Sequence, residues 1–179
     1  MSESDSGLLA AARRGEESSF LSLYHRYRTP LFRFAWRLTG SGATAEDVLQ
    51  ECFLALIEGA RFDMDRGSLR AYLFGMARNL ALKRIRLAER ESEELEDTEA
   101  DFGPLENLLS AERSEVVARA VLALPPFQRE ALILFEYEEL SLEEIAAIVG
   151  IEAGAVKARL HRARETLRRR LAPLIAARA

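Results

Sequence analysis

Residues 141–170 read SLEEIAAIVG IEAGAVKARL HRARETLRRR, and the fold turns on how this stretch is read. Ser141 followed by Glu144 is a capping-box start. Ile145, Ile148 and Val149 then recur on one face of a short helix, which Gly150 ends. A second helix runs from about Ala153, with Val156, Leu160, Ala163 and Leu167 on its inner face. Lys157, Arg159, His161, Arg162, Arg164, Arg168, Arg169 and Arg170 crowd its other sides. Helix, glycine turn and strongly basic second helix make a helix-turn-helix, the arrangement that lays one helix in a major groove and ties its flanks to phosphates. A terminal amphipathic helix with a merely solvated basic face has the same charges. The acidic first helix, the turn and the polarised charge together favour nucleic acid.

The overall charge tells less than its distribution. The formal net charge is −4, yet from Val156 to the end eight Arg and Lys face Glu165 alone, while Glu89 to Asp101 carries eight carboxylates against Arg90 alone. Local fields steer a polyanionic ligand, so a net acidic chain is still compatible with one. At 179 residues, with 49% apolar residues, the chain has material for one medium or two small cores. Cys52 is the single cysteine and sits in an apolar helical pattern, which suits a small core residue and supplies neither a disulfide nor a metal cluster. The start MSESDSG has no basic segment followed by an apolar run, and no apolar stretch approaches a membrane span. No membrane insertion and a cytoplasmic location are therefore expected.

Working outward from the motif, nearly every periodic segment is helical and no run alternates as a strand does, so the expected fold is all-α. Ser6 can cap a first helix through Leu8, Leu9 and Ala12, ending near Gly15. Phe20, Leu23, Tyr24 and Tyr27 give the inner face of a second helix, and Pro30 permits a new start continued by Leu31, Phe34, Ala35 and Leu38, with Trp36 at the edge. Thr44 with Asp47 reads as the start of the next helix, whose core side carries Val48, Leu49, Cys52, Phe53, Leu56 and Ile57. On its other side Asp47, Gln50, Glu51 and Leu54 fall at helical spacing. That stripe is either an ordinary solvated face or a docking surface for a basic partner helix.

RFDMDRG at 61–67 breaks the helical pattern, and Ser68 opens a long helix. Its expected core face is Leu69, Leu73 or Tyr72, Met76, Leu80 and Leu87. Arg70, Phe74, Arg78, Asn79, Lys83, Arg84 and Arg86 interleave on the opposite side. Basic groups that track phosphates, with an aromatic between them to stack on a base, suit single-stranded or melted DNA. Arginines whose stems lie along a plain helix surface would give the same pattern. Residues 91–104 are so acidic and so poor in apolar groups that they cannot offset the entropy of folding, and they are expected to form a linker. A further helical unit starts near Leu105, is punctuated by Pro125 and Pro126, and ends in the basic helix. The expected architecture is thus two small helical domains, 1–90 and 105–179, joined by an acidic linker at 91–104.

Four segments in this order, AEDVLQECFLAL, FDMDRGSLRAYLFGMARNLAL, LPPFQREALIL and SLEEIAAIVGIEAGAVKARLHRARETLRR, resemble an extracytoplasmic-function sigma factor of bacterial RNA polymerase. The resemblance spans about Phe20 to Leu171. It implies a region 2-like domain followed by a region 4-like domain, and a protein that binds core polymerase and directs promoter-specific initiation. By the resemblance, Asp47, Gln50, Glu51 and Leu54 dock on the clamp coiled coil of the largest polymerase subunit, and the flap region is a second contact. Arg61, Phe62, Ser68, Tyr72, Phe74, Arg78, Asn79, Lys83 and Arg84 engage the −10 element, with a non-template base flipped into a pocket near Phe62, Ser68 and Asn79. Ala155, Lys157, Ala158, Arg159, His161, Arg162 and Arg164 fall on the helix that reads the −35 element. Lys157, Ala158, His161 and Arg162 approach base edges there, and Arg159 and Arg164 hold phosphates.

The chain departs from the family pattern at Ala155 and Ala158, where hydroxyl side chains are common, at Glu152, a weaker cap than Ser or Asp, and at Tyr72, where tryptophan is frequent. An anti-sigma protein is a further partner the resemblance allows, with the apolar surfaces around Leu54 and after Leu105 available to it. A free-standing helix-turn-helix regulator is the rival reading. An enzyme fits poorly: no catalytic constellation, cofactor loop or metal-ligand spacing is legible, and His25 and His161 lie in separate units.

Overall fold

The computed structural model describes residues 4–59, 62, 67–92 and 111–176. In chain order the helices are α1 (Asp5–Arg13), α2 (Glu17–Thr39), α3 (Gly42–Ile57), α4 (Leu69–Ser92), α5 (Ala111–Leu122), α6 (Pro126–Glu136), α7 (Leu142–Val149) and α8 (Ala153–Ala176). No strand occurs among the described residues. Most of the acidic segment and the helix start expected near Leu105 lie outside them.

Local signals set most boundaries. The Ser4 hydroxyl accepts from Gly7 N–H at 3.3 Å, so α1 is capped by Ser4 and not by Ser6. Ser41 caps α3 by accepting from Thr44 N–H at 3.2 Å, which starts that helix a few residues earlier than Thr44. Ser68 does the same for α4, accepting from Ala71 N–H at 3.1 Å. The capping box at Ser141 and Glu144 is complete, and Gly150 ends α7 at φ 72°, a left-handed conformation that suits glycine. Pro30 is a correction: it lies inside an unbroken α2 instead of starting a new helix. A proline in a helix interior costs about 3 kcal/mol. Burial of Leu23, Tyr27, Leu31, Phe34 and Leu38 on both sides of it outweighs that cost.

Helix α2 is the axis of the N-terminal unit and packs on α1, α3 and α4. Leu23, Leu31, Phe34, Leu38, Val48, Cys52, Leu56, Leu73 and Phe74 meet in its core. Desolvation there pushes the Cys52 thiol up to about 12, as expected of an inert core cysteine. Around α4 the expected core needs correcting. Leu87 is exposed, Tyr72, Met76 and Leu80 are half-buried, and Phe74, Ala77 and Ala81 are buried in their place.

The C-terminal unit, α5 to α8, closes around Val121, Leu124, Ala131, Ile133, Leu134, Ile145, Val156, Leu160 and Ala163. Val156, Leu160 and Ala163 point inward as their spacing requires. The two units also pack on each other, α2 against α5 and α6 and α4 against α7.

Candidate nucleic-acid interface

On α3 the stripe is presented as the spacing suggested. Asp47, Gln50 and Leu54 are exposed and Glu51 is half-buried, while Val48, Cys52 and Leu56 face the core. Leu54 is 59% exposed, a large apolar side chain standing among acidic and amide groups. Arg84 of α4 reaches across to this stripe, donating to Asp47 at 3.0 Å and also to Glu51. Those two carboxylates hold the Arg84 guanidinium above its ordinary pKa, the hydrogen bond to Asp47 being the largest cause. Arg84 therefore braces the α3 stripe in this structure.

The start of α4 builds a cleft. Phe62, Gly67, Ser68, Ala71, Tyr72, Gly75, Met76 and Asn79 line about 770 Å³ of space, closed on one side by Ala147 and Ile148 of α7. Phe62 and Tyr72 stand with ring centroids 5.2 Å apart and planes inclined at 52°. Two aromatic rings, a serine hydroxyl and an amide offer stacking and hydrogen bonds to an unpaired base. Arg61 lies outside the described residues, and Lys83 is exposed further along α4. Phe74 is a second correction. It is fully buried, edge-on to Phe34 at 5.3 Å, so it packs the core and has no face for a base. Helical spacing placed it among arginines, but α2 supplies a neighbour on that side too.

Arg78 is held elsewhere. Its Nε donates to Glu130 Oε2 at 2.7 Å and its Nη2 to Oε1 at 3.1 Å, and Nη1 reaches Asn79 Oδ1 at 3.1 Å. The fork-on-carboxylate geometry is the strong, oriented form of such pairs. Glu130 is fully buried, and Arg159 of α8 donates to the same Oε1 at 2.9 Å.

Along α8, Ala155, Lys157, Ala158, His161 and Arg162 are all exposed and share the outer side of the helix. Arg159 is corrected: it is turned to α6, bonded to Glu130 and set over Phe127 at 5.1 Å. Arg164 donates twice to Glu136, at 3.2 and 2.6 Å, and lies over Phe135. These two arginines fasten the basic helix to its own unit and fix the pitch at which the exposed residues are presented. Sequence reasoning passed over Glu130, Glu138 and Arg129. A lone carboxylate within the apolar run EALIL is the sign that could have drawn attention to Glu130, because buried charges are almost always paired.

The chain is thus an all-α protein of two units, with an aromatic cleft at the start of α4 and a helix-turn-helix in α7 and α8. The comparisons with known proteins narrow the class. Residues 23–91 match Sigma-70 region 2 and residues 114–167 match Sigma-70 region 4. The chain is 32% identical to the ECF RNA polymerase sigma factor SigW of Bacillus subtilis, over 90% of this chain and 94% of that protein. It is 31% identical to the ECF RNA polymerase sigma-E factor of Escherichia coli K12, over 96% of each. A solved structure of the sigma factor RpoE in complex with the anti-sigma factor NepR from Bartonella quintana superposes with TM-score 0.72 at 28% identity, covering 85% of this chain and 96% of that one. The chain belongs to the extracytoplasmic-function sigma factors, and is an alternative sigma factor that directs promoter-specific transcription initiation. Among the described residues no helix is long and apolar enough to cross a membrane.

Proposed function

We propose that the N-terminal unit, residues 1–90, docks on core RNA polymerase and opens the −10 element, while residues 105–179 read the −35 element and residues 91–104 tether the two. The observation that carries this reading is the pair of separate presentations: a cleft lined by Phe62, Ser68, Tyr72 and Asn79 on one unit, and an exposed Lys157, His161 and Arg162 face on the other. Asp47, Gln50, Glu51 and Leu54 dock on the clamp coiled coil of the largest subunit, an acidic and apolar stripe meeting a basic helix. The C-terminal unit meets the flap region.

The work at the −10 element is equilibrium work. Extruding a base costs a few kcal/mol. A cleft that accepts only an unpaired base binds the opened strand and not the duplex, so it shifts the population toward melting. Lys83 tracks the strand's phosphates from the same helix. At the −35 element Arg162 is suited to the O6 and N7 of guanine and Lys157 to a neighbouring base edge, each good pair supporting about 1–3 kcal/mol of discrimination. Joining two modest readers through a tether makes the second contact effectively intramolecular, so the spacing of the elements becomes part of the specificity. The protein works in the cytoplasm by binding, and no covalent step is required of it. The structure of the RpoE relative with NepR supports an anti-sigma protein as a further partner.

Transcription in vitro with core polymerase and a pool of promoters tests the reading. Start-site selection that depends on this protein is the expected result. A protein that binds duplex sites tightly by itself and selects no start site would instead be a free-standing regulator.

A further inference from the structure

A helix turns about 100° per residue, so the outward directions along α8 follow from the set it buries. Val156, Leu160 and Ala163 are 0%, 2% and 0% exposed and fix the inward direction. By that rotation Ala158 stands about 170° from their mean direction, and of the exposed residues in the first three turns it points most nearly straight out of the unit. The arginines on the two flanks of this sector are committed elsewhere, Arg159 to Glu130 and Arg164 to Glu136, both on α6. Between them Lys157, His161 and Arg162 stand exposed around Ala158. The next residue on the line of Ala158 is Glu165, which is bonded to Arg168. A carboxylate is repelled by phosphates, so the part of the face fit to read bases ends before Glu165, on the turns that carry Ala158 and Arg162.

When the unit seats α8 in a major groove, the side chain that points straight outward meets the base edges on the groove floor. At that place α8 offers one methyl group and neither a donor nor an acceptor. Thymine is the base that shows a methyl in the major groove; the amino, carbonyl and N7 groups of the other bases would lose water against an alanine and gain no partner. A methyl set against a methyl takes apolar surface of both out of water. We propose that Ala158 selects a thymine at one position of the −35 element by contact with its 5-methyl group. Four residues advance a helix by about 6 Å, so this thymine lies within about two base pairs of the guanine suited to Arg162. The inference rests on the reading of α8 as the −35 helix, and it adds a base that hydrogen bonds do not select.

The experiment uses holoenzyme assembled from the full chain and core polymerase, with a promoter selected in the transcription assay. Each thymine of its −35 element, on either strand, is replaced in turn by deoxyuridine, which keeps the pairing and the O4 acceptor and removes only the methyl. Affinity is measured by competition against the unmodified promoter. At one position it is expected to fall about two- to fourfold, the upper figure corresponding to full burial of one methyl. Ala158→Gly removes the other methyl, and with this variant the same deoxyuridine should cost less than about 1.5-fold. Ala158→Ser, which costs a helix less than glycine does, sets a hydroxyl against the methyl and is expected to lower the thymine preference at that position. Circular dichroism verifies that both variants fold. The proposal is overturned if the selected element has no preferred thymine, if no deoxyuridine lowers the affinity of the wild type, or if the loss is as large with Ala158→Gly. Scrambling the whole −35 element separates the two levels of failure. An unchanged wild-type affinity after scrambling removes the −35 assignment of α8 and the inference with it, whereas a lowered affinity with no effect of deoxyuridine removes the role of Ala158 alone.

Discussion

Arg78 of α4 and Glu130 of α6, 52 residues apart in sequence, meet through two hydrogen bonds of 2.7 and 3.1 Å with the carboxylate fully buried. Removing the acid leaves two guanidiniums, Arg78 and Arg159, facing each other. Glu130→Ala is therefore expected to lower stability by about 3–5 kcal/mol, the range for breaking a buried pair. Urea denaturation measures it, and a double-mutant cycle with Arg78→Ala separates the part that belongs to the contact between units.

Phe62 and Phe74 are close in sequence and opposite in setting, one lining the cleft and the other fully buried. Phe74→Ala opens a cavity against Phe34 and should cost about 3–5 kcal/mol of stability. Phe62→Ala should leave the melting temperature nearly unchanged and weaken promoter opening by the loss of stacking, about 1–3 kcal/mol per base. Permanganate reactivity of thymines in the −10 region reports the opening. Equal opening by both variants would remove Phe62 from the cleft's function.

Glu51→Lys reverses one charge of the α3 stripe and sets a lysine beside Arg84. Both partners of that pair are substantially exposed, so the fold should lose about 1 kcal/mol or less. Affinity for core polymerase, measured by fluorescence anisotropy, is expected to fall much further. An unchanged affinity would show that the stripe is an ordinary solvated face.

On the outer side of α8, Arg162→Ala should relax preference at one −35 position at a cost of about 1–3 kcal/mol. Lys157→Ala and Arg162→Ala should each also reduce the salt dependence of binding wherever a phosphate contact is lost. Arg159→Ala should act differently, loosening α8 from Glu130 and lowering stability, because its guanidinium serves the unit's interior. Binding titrations at several salt concentrations, paired with thermal melts, distinguish the two classes.

Two carboxylates give opposite pH signatures. Backbone and hydroxyl bonds from Ser141 hold the Glu144 carboxyl below its ordinary 4.5, so its stabilisation is present above that pH and is lost as pH falls through the folded-state value. Burial raises Glu138 above its ordinary value, so its carboxyl favours folding most at low pH and less as pH rises through its folded-state value. Glu144→Ala should thus lose its penalty in acid, whereas Glu138→Gln should gain stability relative to wild type at neutral pH. Ser141→Ala is expected to cost about 1 kcal/mol at neutral pH. Denaturation midpoints across acid to neutral pH check all three.

The sequence by itself determined whatever depends on short-range rules. Periodicity and capping specify the helix-turn-helix at 141–170, the inward set Val156, Leu160 and Ala163, and the alternation on α3 that leaves Asp47, Gln50 and Leu54 outside. These follow because a helix repeats its environment every few residues and ends where its backbone groups find other partners. Only the tertiary structure decided which neighbour each face meets. Phe74 lies in the core because α2 passes there, and Pro30 stays helical because the residues around it are buried. Arg84 turns to α3, and Arg78 and Arg159 share one acid on α6. A guanidinium reaches several ångströms from its backbone and takes the nearest well-placed carboxylate, and no periodicity along one helix records where another helix brings that carboxylate.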